Sequence, residues 1–372
     1  MVVTRSPISR QAVGAAASAL RNGRLVILPT ETLYGVAVSA QSEQAVSMLR
    51  DLITVYSGAP AVFPAMTWHA PDVAAVLAAA PGLRADHTRA FVRLAPGPVR
   101  FEIEGMGVTA SRRLGVVPGV LDTADGSFSV RVPDHAVTSG VIASSGVPVI
   151  LERLSVLGLG AGRDLPDGIA ERASVLGIAH ILDDGPTRFG LPSTTIRLHA
   201  LGGYTVASAG AYEERYIRKK MERTLLFVCT GNTCRSPMAE AIARDLLSRA
   251  GDASTRVISA GVTAADGAPM TPEAREALVG MGIDPGRHRS RNADRALIDS
   301  AEHVFTMTRS HLRAVEAVGG AGKAMLLDPE GGDVPDPIGG PVEEYRDTAL
   351  RLRTMIERRL IDIGALPPGG TA

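Results

Sequence analysis

The sequence predicts an α/β protein of two domains, the second a doubly wound parallel sheet. Three observations carry this. The chain has 372 residues, more than one ordinary hydrophobic core organises. From Thr224 onward, short apolar runs alternate with amphipathic stretches, the pattern of repeated strand–helix units. A charged cluster, Glu213-Glu214-Arg215 through Arg218-Lys219-Lys220-Met221-Glu222-Arg223, breaks the apolar pattern just before that alternation begins. The boundary is placed near Lys220, with a first domain over 10–210, a linker over 211–223 and a second domain over 224–366.

The elements follow in order. In the first domain, 11–21 reads as a helix and 24–29 as a strand. The alanine-rich stretch 70–80 reads as a helix, and the apolar runs 146–151 and 179–182 as strands. Together they imply a twisted α/β sheet whose strand order the pattern does not give. In the second domain, Thr224-Leu225-Leu226-Phe227-Val228-Cys229 is a continuous apolar run of the kind buried in a parallel sheet. An amphipathic stretch over 238–249 follows, then a strand at 256–259, a helix around 272–279, strands at 302–307 and 324–327, and a long helix over 342–363. Ligands of such sheets sit at the carboxyl ends of the strands.

Composition narrows the function classes. Apolar content of 45% with 21% charged residues belongs to a globular chain. Lys+Arg and Asp+Glu stand at 39 each, so no net field recruits nucleic acid or a membrane surface. No apolar run reaches the ~18–20 residues that span a bilayer, and the first residues lack the apolar segment of a secretory signal. A cytoplasmic protein with no membrane partner is expected. The two cysteines, Cys229 and Cys234, lie in one short loop, which excludes a disulfide framework and fits a reducing compartment. Cysteines placed together and nowhere else point to chemistry; no metal is expected.

The decisive segment is Val228-Cys229-Thr230-Gly231-Asn232-Thr233-Cys234-Arg235-Ser236-Pro237. A buried strand delivers Cys229 into a turn that opens a helix. Gly231 and Asn232 tolerate the left-handed conformations of a tight anion cradle, and Pro237 suits a first helical turn. Backbone N–H groups from Thr230 to Arg235 can then converge on a phosphate, with Ser236 completing the loop. Arg235 adds a bidentate fork for two phosphoryl oxygens. The same positive field favours thiolate at Cys229, positioned for in-line attack.

This segment closely resembles the low-molecular-weight protein phosphatase family, a likeness that runs from Thr224 to about Ile363. Other matching stretches are Pro237-Met238-Ala239-Glu240, Ser259-Ala260-Gly261, His288-Arg289-Ser290-Arg291, Met307-Thr308 and Asp336-Pro337. The resemblance implies Cys229 as nucleophile, Arg235 as phosphate clamp and Asp336 as general acid, without a cofactor, on phosphorylated protein substrates. Asp333, three residues earlier, is the local competitor for the acid. Cys234 is positioned for a reversible disulfide with Cys229 that would shield the nucleophile. The loop is most similar to that of bacterial protein-arginine phosphatases, in which the second threonine, here Thr233, helps select phosphoarginine. Tyrosine-directed members carry an aliphatic residue there and aromatics after the Asp-Pro pair; this chain has Thr233 and Ile338-Gly339-Gly340. Phosphoarginine is favoured over phosphotyrosine.

The first domain resembles the threonylcarbamoyl-AMP synthase (YrdC-type) family, which uses ATP, L-threonine and bicarbonate in a tRNA modification. The likeness rests on Leu28-Pro29-Thr30-Glu31-Thr32-Leu33-Tyr34-Gly35-Val36, Ala95-Pro96-Gly97-Pro98, Val130-Arg131-Val132-Pro133-Asp134-His135 and Gly190-Leu191-Pro192-Ser193-Thr194-Thr195. It implies a ligand site at Thr30, Thr32, Tyr34, Arg131 and Ser193. Two departures stand out. Where the family places a Lys-x-Arg pair, this chain has Leu49-Arg50-Asp51, and no lysine precedes Lys219. The family's Ser-x-Asn segment is absent after Gly146-Val147-Pro148. A synthase fold with weak or absent adenylation is expected, binding a small ligand or RNA. The alternatives are a bifunctional enzyme and a non-catalytic phospho-residue binding or redox-sensing module.

Overall fold

Strand β11 (Arg223–Cys229) shows why its sheet forms. In the computed structural model, which describes residues 4–58, 65–123, 125–252 and 254–366, the run Arg223–Cys229 is a strand paired in parallel on both sides. Alternate side chains of a strand face opposite ways. Leu225 and Phe227 enter one apolar cluster, with Met238, Ile242, Leu278 and Leu352, while Leu226 and Val228 enter another, with Ile298, Val304 and Val315. Each such fully buried side chain contributes about 1.5–3 kcal/mol, and only a sheet covered by helices on both faces collects both contributions.

The chain divides into two compact units, Met1–Lys220 and Met221–Ala372. Ten strands are described in the first: β1 (Thr4–Pro7), β2 (Leu25–Leu28), β3 (Gly35–Ser39), β4 (Trp68–His69), β5 (Val99–Ile103), β6 (Phe128–Arg131), β7 (Val149–Arg153), β8 (Ile178–Asp183), β9 (Thr194–Leu198) and β10 (Tyr204–Ser208). They form one sheet in the order β1-β8-β2-β3-β7-β4-β6-β5-β9-β10. The pairing is mixed: β8 runs parallel to β1 and β2, whereas β3 is antiparallel to both β2 and β7. Helix α1 (Arg10–Arg21) covers part of this sheet through Ala16, Ala17 and Leu20, packed with Val26, Leu28 and Val141.

Two element boundaries differ from expectation, each for a local reason. The helix read over 70–80 is confined to α2 (Val73–Ala79), because the Asp72 side chain caps it by accepting from Ala75 N and Ala70 still bonds to Arg131 O as a strand extension. The strand read over 146–151 starts at Val149, because Gly146, at φ 66°, ends the preceding helix in the left-handed conformation. The expected linker also contains a helix, α3 (Glu214–Met221), with an Arg218–Glu214 ion pair at 2.6 Å one turn apart.

The second unit has a four-stranded, wholly parallel sheet, ordered β12 (Thr255–Gly261), β11, β13 (His303–Thr306), β14 (Ala324–Leu326). Helices α4 (Arg235–Arg249) and α5 (Val342–Asp362) pack on one face, through Leu246, Leu352 and Ile356. The doubly wound parallel sheet is the architecture the alternation predicted. Among the described residues no helix is long and apolar enough to cross a membrane, and no group of His, Cys, Asp and Glu is arranged to hold a metal.

Candidate active site

The loop between β11 and α4 is built around Asn232. It is the one non-glycine residue at positive φ (56°) among those described. Its buried side chain holds three elements together. Nδ2 donates to Ser236 Oγ and Ser259 Oγ, both at 2.9 Å, and Oδ1 accepts from Arg291 N at 3.0 Å. The Asn232 carbonyl accepts from His288 Nε2 at 2.7 Å. These bonds repay the left-handed conformation and fix the loop against β12 and the 288–292 segment. Gly231 departs from expectation: its φ is not positive, and a Cβ there would meet nothing closer than Thr233 Oγ1 at 3.8 Å. The left-handed turn falls on Asn232 alone because only that residue has a side chain able to bond on three sides. The glycine that the packing requires is Gly261, where a Cβ would run into the Thr230 carbonyl and Asn232 N.

Cys229 lies at the base of the loop, 3% exposed. Its Sγ is 3.0 Å from Ser236 Oγ and accepts from Asn232 N at 3.3 Å. Among the described residues the amides of Gly231, Thr233 and Cys234 donate to no protein acceptor. They lie in the loop that joins the sulfur to the first turn of α4, whose N-terminal amides have no intrahelical acceptor. Arg235 is buried; its Nη1 donates to Val334 O at 3.0 Å, and its Nη2 reaches Thr230 Oγ1 at 3.4 Å and pairs with the Asp336 carboxylate. Asp336 Oδ1 also accepts from Ile338 N at 3.3 Å. Asp333 turns elsewhere and accepts from Arg309 N at 2.9 Å. Of the two candidate carboxylates, only Asp336 is brought to the arginine.

The remaining loop positions have distinct surroundings. Thr233 is half-buried, its Oγ1 3.7 Å from Cys234 Sγ. Cys234 is a free, buried thiol 3.6 Å from Thr271 Oγ1 and 3.8 Å from the Tyr345 hydroxyl. Burial pushes the Tyr345 phenol up to about 12, with the Cys234 contact adding to it. Thr230 faces His311, whose Nε2 lies 2.9 Å from Thr230 Oγ1 and whose Nδ1 lies 2.9 Å from Thr308 Oγ1. Burial and then the neighbouring Arg235 charge push His311 down, which keeps its ring neutral.

In the first unit three of the expected site residues share one turn, and Arg131 is tied to that turn through Glu31. Thr30, Thr32 and Tyr34 lie in the buried turn between β2 and β3. Thr30 Oγ1 donates to Leu33 O at 2.7 Å and accepts from the amides of Thr32 and Leu33, both at 3.1 Å; Thr32 Oγ1 lies 2.9 Å from it. The Tyr34 hydroxyl donates to Gly185 O and accepts from Asp184 N, and burial pushes it up to about 12. These hydroxyls hold the turn. Arg131, at the end of β6, is buried in an ion pair with Glu31 at 2.8 Å, beside His69, which burial and Arg131 push down to about 3. Ser193 immediately precedes β9, which adjoins β5. Arg50 donates to Gly119 O at 2.7 Å.

Comparison with known proteins matches this division. Residues 18–207 match the family model described as Telomere recombination, and residues 224–364 match that described as Low molecular weight phosphotyrosine protein phosphatase. A protein-arginine-phosphatase of Geobacillus stearothermophilus is 39% identical over 144 residues, covering 37% of this chain and 94% of the relative. The chain belongs to both families. A protein-arginine-phosphatase of Bacillus subtilis is 36% identical over 140 residues, covering 36% of this chain and 92% of the relative. The low molecular weight protein-tyrosine-phosphatase PtpB of Staphylococcus haemolyticus is 33% identical over 136 residues, covering 36% and 94% respectively.

Within the phosphatase unit, sequence reasoning named the loop but not its supports. Ser259, Glu240, His288 and Arg291 all bind the loop or each other; Ser259 Oγ donates to Glu240 Oε2 at 2.6 Å. Their stretches were visible as motif matches, yet nothing in their spacing marks Asn232 as the shared partner. His311 and Tyr345 carried no signal at all.

Proposed function

We propose that the second unit is a protein phosphatase that works through a phosphocysteine intermediate, with phosphoarginine as its substrate. The observation that carries this is the Cys229 sulfur in a loop whose Gly231, Thr233 and Cys234 amides, among the described residues, donate to no protein acceptor, with Arg235 from the same loop paired to Asp336. The Cys229 thiolate attacks phosphorus, and a P–S bond forms as the P–N bond of the guanidinium breaks. Asp336 gives its proton to the departing nitrogen. Water then attacks phosphorus, Asp336 takes a proton from it, and the P–S bond breaks to return the thiolate and free phosphate. Asn232 N donates to Sγ and stabilises the thiolate as leaving group; the Ser236 hydroxyl, which donates to Ala260 O at 3.2 Å, lies 3.0 Å from Sγ and can turn its one proton to the thiolate.

Two features favour a P–N substrate over an aryl ester. Thr233 puts a branched, polar side chain at the loop where a flat ring would need space. After Asp336-Pro337 come Ile338, 66% accessible, and two glycines, so these positions offer no aromatic side chain to hold a phenyl group. The arginine phosphatases among the relatives agree with this choice; the tyrosine phosphatase among them makes phosphotyrosine the control. Full-length protein is assayed side by side on phosphoarginine and phosphotyrosine peptides. Faster hydrolysis of phosphoarginine, lost in Cys229→Ser, is expected; preference for phosphotyrosine would overturn the substrate assignment, and activity surviving the substitution would overturn the mechanism.

For the first unit we infer a synthase fold with weak or absent adenylation. Arg50 is the one cation in the Leu49-Arg50-Asp51 stretch, and it donates to Gly119 O. Glu152 follows the Gly146-Val147-Pro148 segment and brings no positive charge to it. A triphosphate lacks charge partners there. The full chain with ATP, threonine and bicarbonate should release no pyrophosphate above background; robust threonine-dependent release would establish a bifunctional enzyme instead.

A further inference from the structure

Beside the catalytic loop lies a separate polar cavity of about 190 Å³, bordered by Glu240, Arg244, Arg287, His288, Arg289 and Arg291. At about 30 Å³ per water it has room for a tetrahedral oxyanion with several waters. Four guanidinium groups face one carboxylate, and that carboxylate is already committed: Glu240 Oε1 pairs with Arg244 at 2.7 Å, and Oε2 accepts from Ser259. Among the described residues no carboxylate pairs with Arg287 or Arg289. Arg289 has a long bond to Gly267 O at 3.4 Å, and Arg291 Nε is held by Ser259 O at 3.0 Å. The cavity thus carries an excess of about three positive charges, with two exposed forks at its rim, Arg287 and Arg289, that meet no carboxylate among the described residues.

We propose that this cavity is a second oxyanion site, distinct from the Cys229 loop, that takes a phosphate or a phosphoryl group. Planar guanidinium forks match such oxygens in pairs. Neither cysteine borders it, so an anion here is held and not hydrolysed. The floor of the cavity is also the outer support of the catalytic loop. His288 Nε2 donates to Asn232 O, and Arg291 N donates to Asn232 Oδ1. An anion drawing Arg287 and Arg289 inward bears on the segment that holds the one left-handed residue of the loop. The site's occupancy does not depend on the substrate assigned above; its influence on turnover does.

The test is calorimetric titration of phosphate into the full chain carrying Arg235→Ala, which removes the clamp of the first site. One saturable site in the millimolar range is expected, lost on adding Arg287→Ala and Arg289→Ala. If Arg235→Ala does not fold, the unsubstituted chain gives the same reading as two sites, of which the paired substitution removes one. No saturable binding, binding that survives the paired substitution, or an equal response to chloride at matched ionic strength would each overturn the proposal. A phosphoserine peptide titrated in parallel separates the sources: tighter binding than free phosphate assigns the site to a second phosphoryl group on a substrate protein, and equal or weaker binding to free phosphate. Both of these outcomes support an oxyanion site.

Discussion

Substitution of Asn232 isolates what the loop's geometry contributes. Asn232→Ala removes three buried side-chain hydrogen bonds, to Ser236, Ser259 and Arg291. At about 1 kcal/mol net for each, the loss is about 3 kcal/mol. Alanine must also hold φ 56°, which adds about 1 kcal/mol. Asn232→Gly loses the same bonds but accepts the backbone, so glycine should be the milder change by about 1 kcal/mol. The assay is urea unfolding followed by far-ultraviolet circular dichroism, with fluorescence of Trp68, the single tryptophan, reporting the first unit separately. Turnover of an aryl phosphate should fall at least about tenfold in both variants, since donors must hold their positions to stabilise a transition state. Either variant within about 1 kcal/mol of the unsubstituted chain, or alanine tolerated better than glycine, would refute the reasoning.

One further outcome concerns the catalytic loop and another the first unit. Thr233→Ile should shift the ratio of kcat/KM on phosphoarginine and phosphotyrosine peptides toward phosphotyrosine by about tenfold or more; two unchanged rates would remove Thr233 from selectivity. In the first unit, His69 is held neutral, its value near 3 against an ordinary 6.5. Unfolding lets it bind a proton that the folded state refuses, so its contribution is complete above about pH 6.5 and declines as pH falls toward 3. From about pH 7 to about pH 5 the loss is about 2 kcal/mol, read as a fall in the Trp68 transition midpoint. His69→Asn should flatten that decline, and an identical acid limb in the variant would sever the link.

The second unit was legible because its central strand is buried on both faces, so burial wrote a continuous apolar run into 224–229. The cysteine, the arginine and the helix start then lie within a few residues of each other. What holds them was not legible. Asn232 meets Ser259 across 27 residues and Arg291 across 59, and no local pattern encodes a partner at that distance. The first unit shows the same limit more broadly. β4 is two residues, Trp68–His69, and exists as a strand because β6 and β7 flank it; its own sequence carries no period. The residue types of Thr30 and Thr32 suit a ligand site, and Thr30 Oγ1 also bonds within the turn. A hydroxyl in a strand-end motif serves either use, and only its neighbours decide.

Arg235 is a shared resource, and Asp336→Asn separates its two uses. Its Nη2 is divided between Thr230 and the Asp336 carboxylate, while Nη1 is held by Val334 O. A phosphoryl group entering the loop must draw on the same guanidinium, so carboxylate and ligand compete for it. Asn at 336 removes the negative charge and with it the competitor, and inorganic phosphate should inhibit the variant at lower concentration than the unsubstituted chain. The same change removes the proton donor, and kcat should fall by about 10²–10⁴. The fall should be steepest for a guanidinium and shallowest for a nitrophenol that departs unaided. Opposite movement of binding and turnover is what distinguishes an acid from a structural carboxylate, whose loss would weaken both. Unchanged kcat on the poor leaving group, or phosphate inhibition that weakens in step with turnover, would remove Asp336 from the acid role.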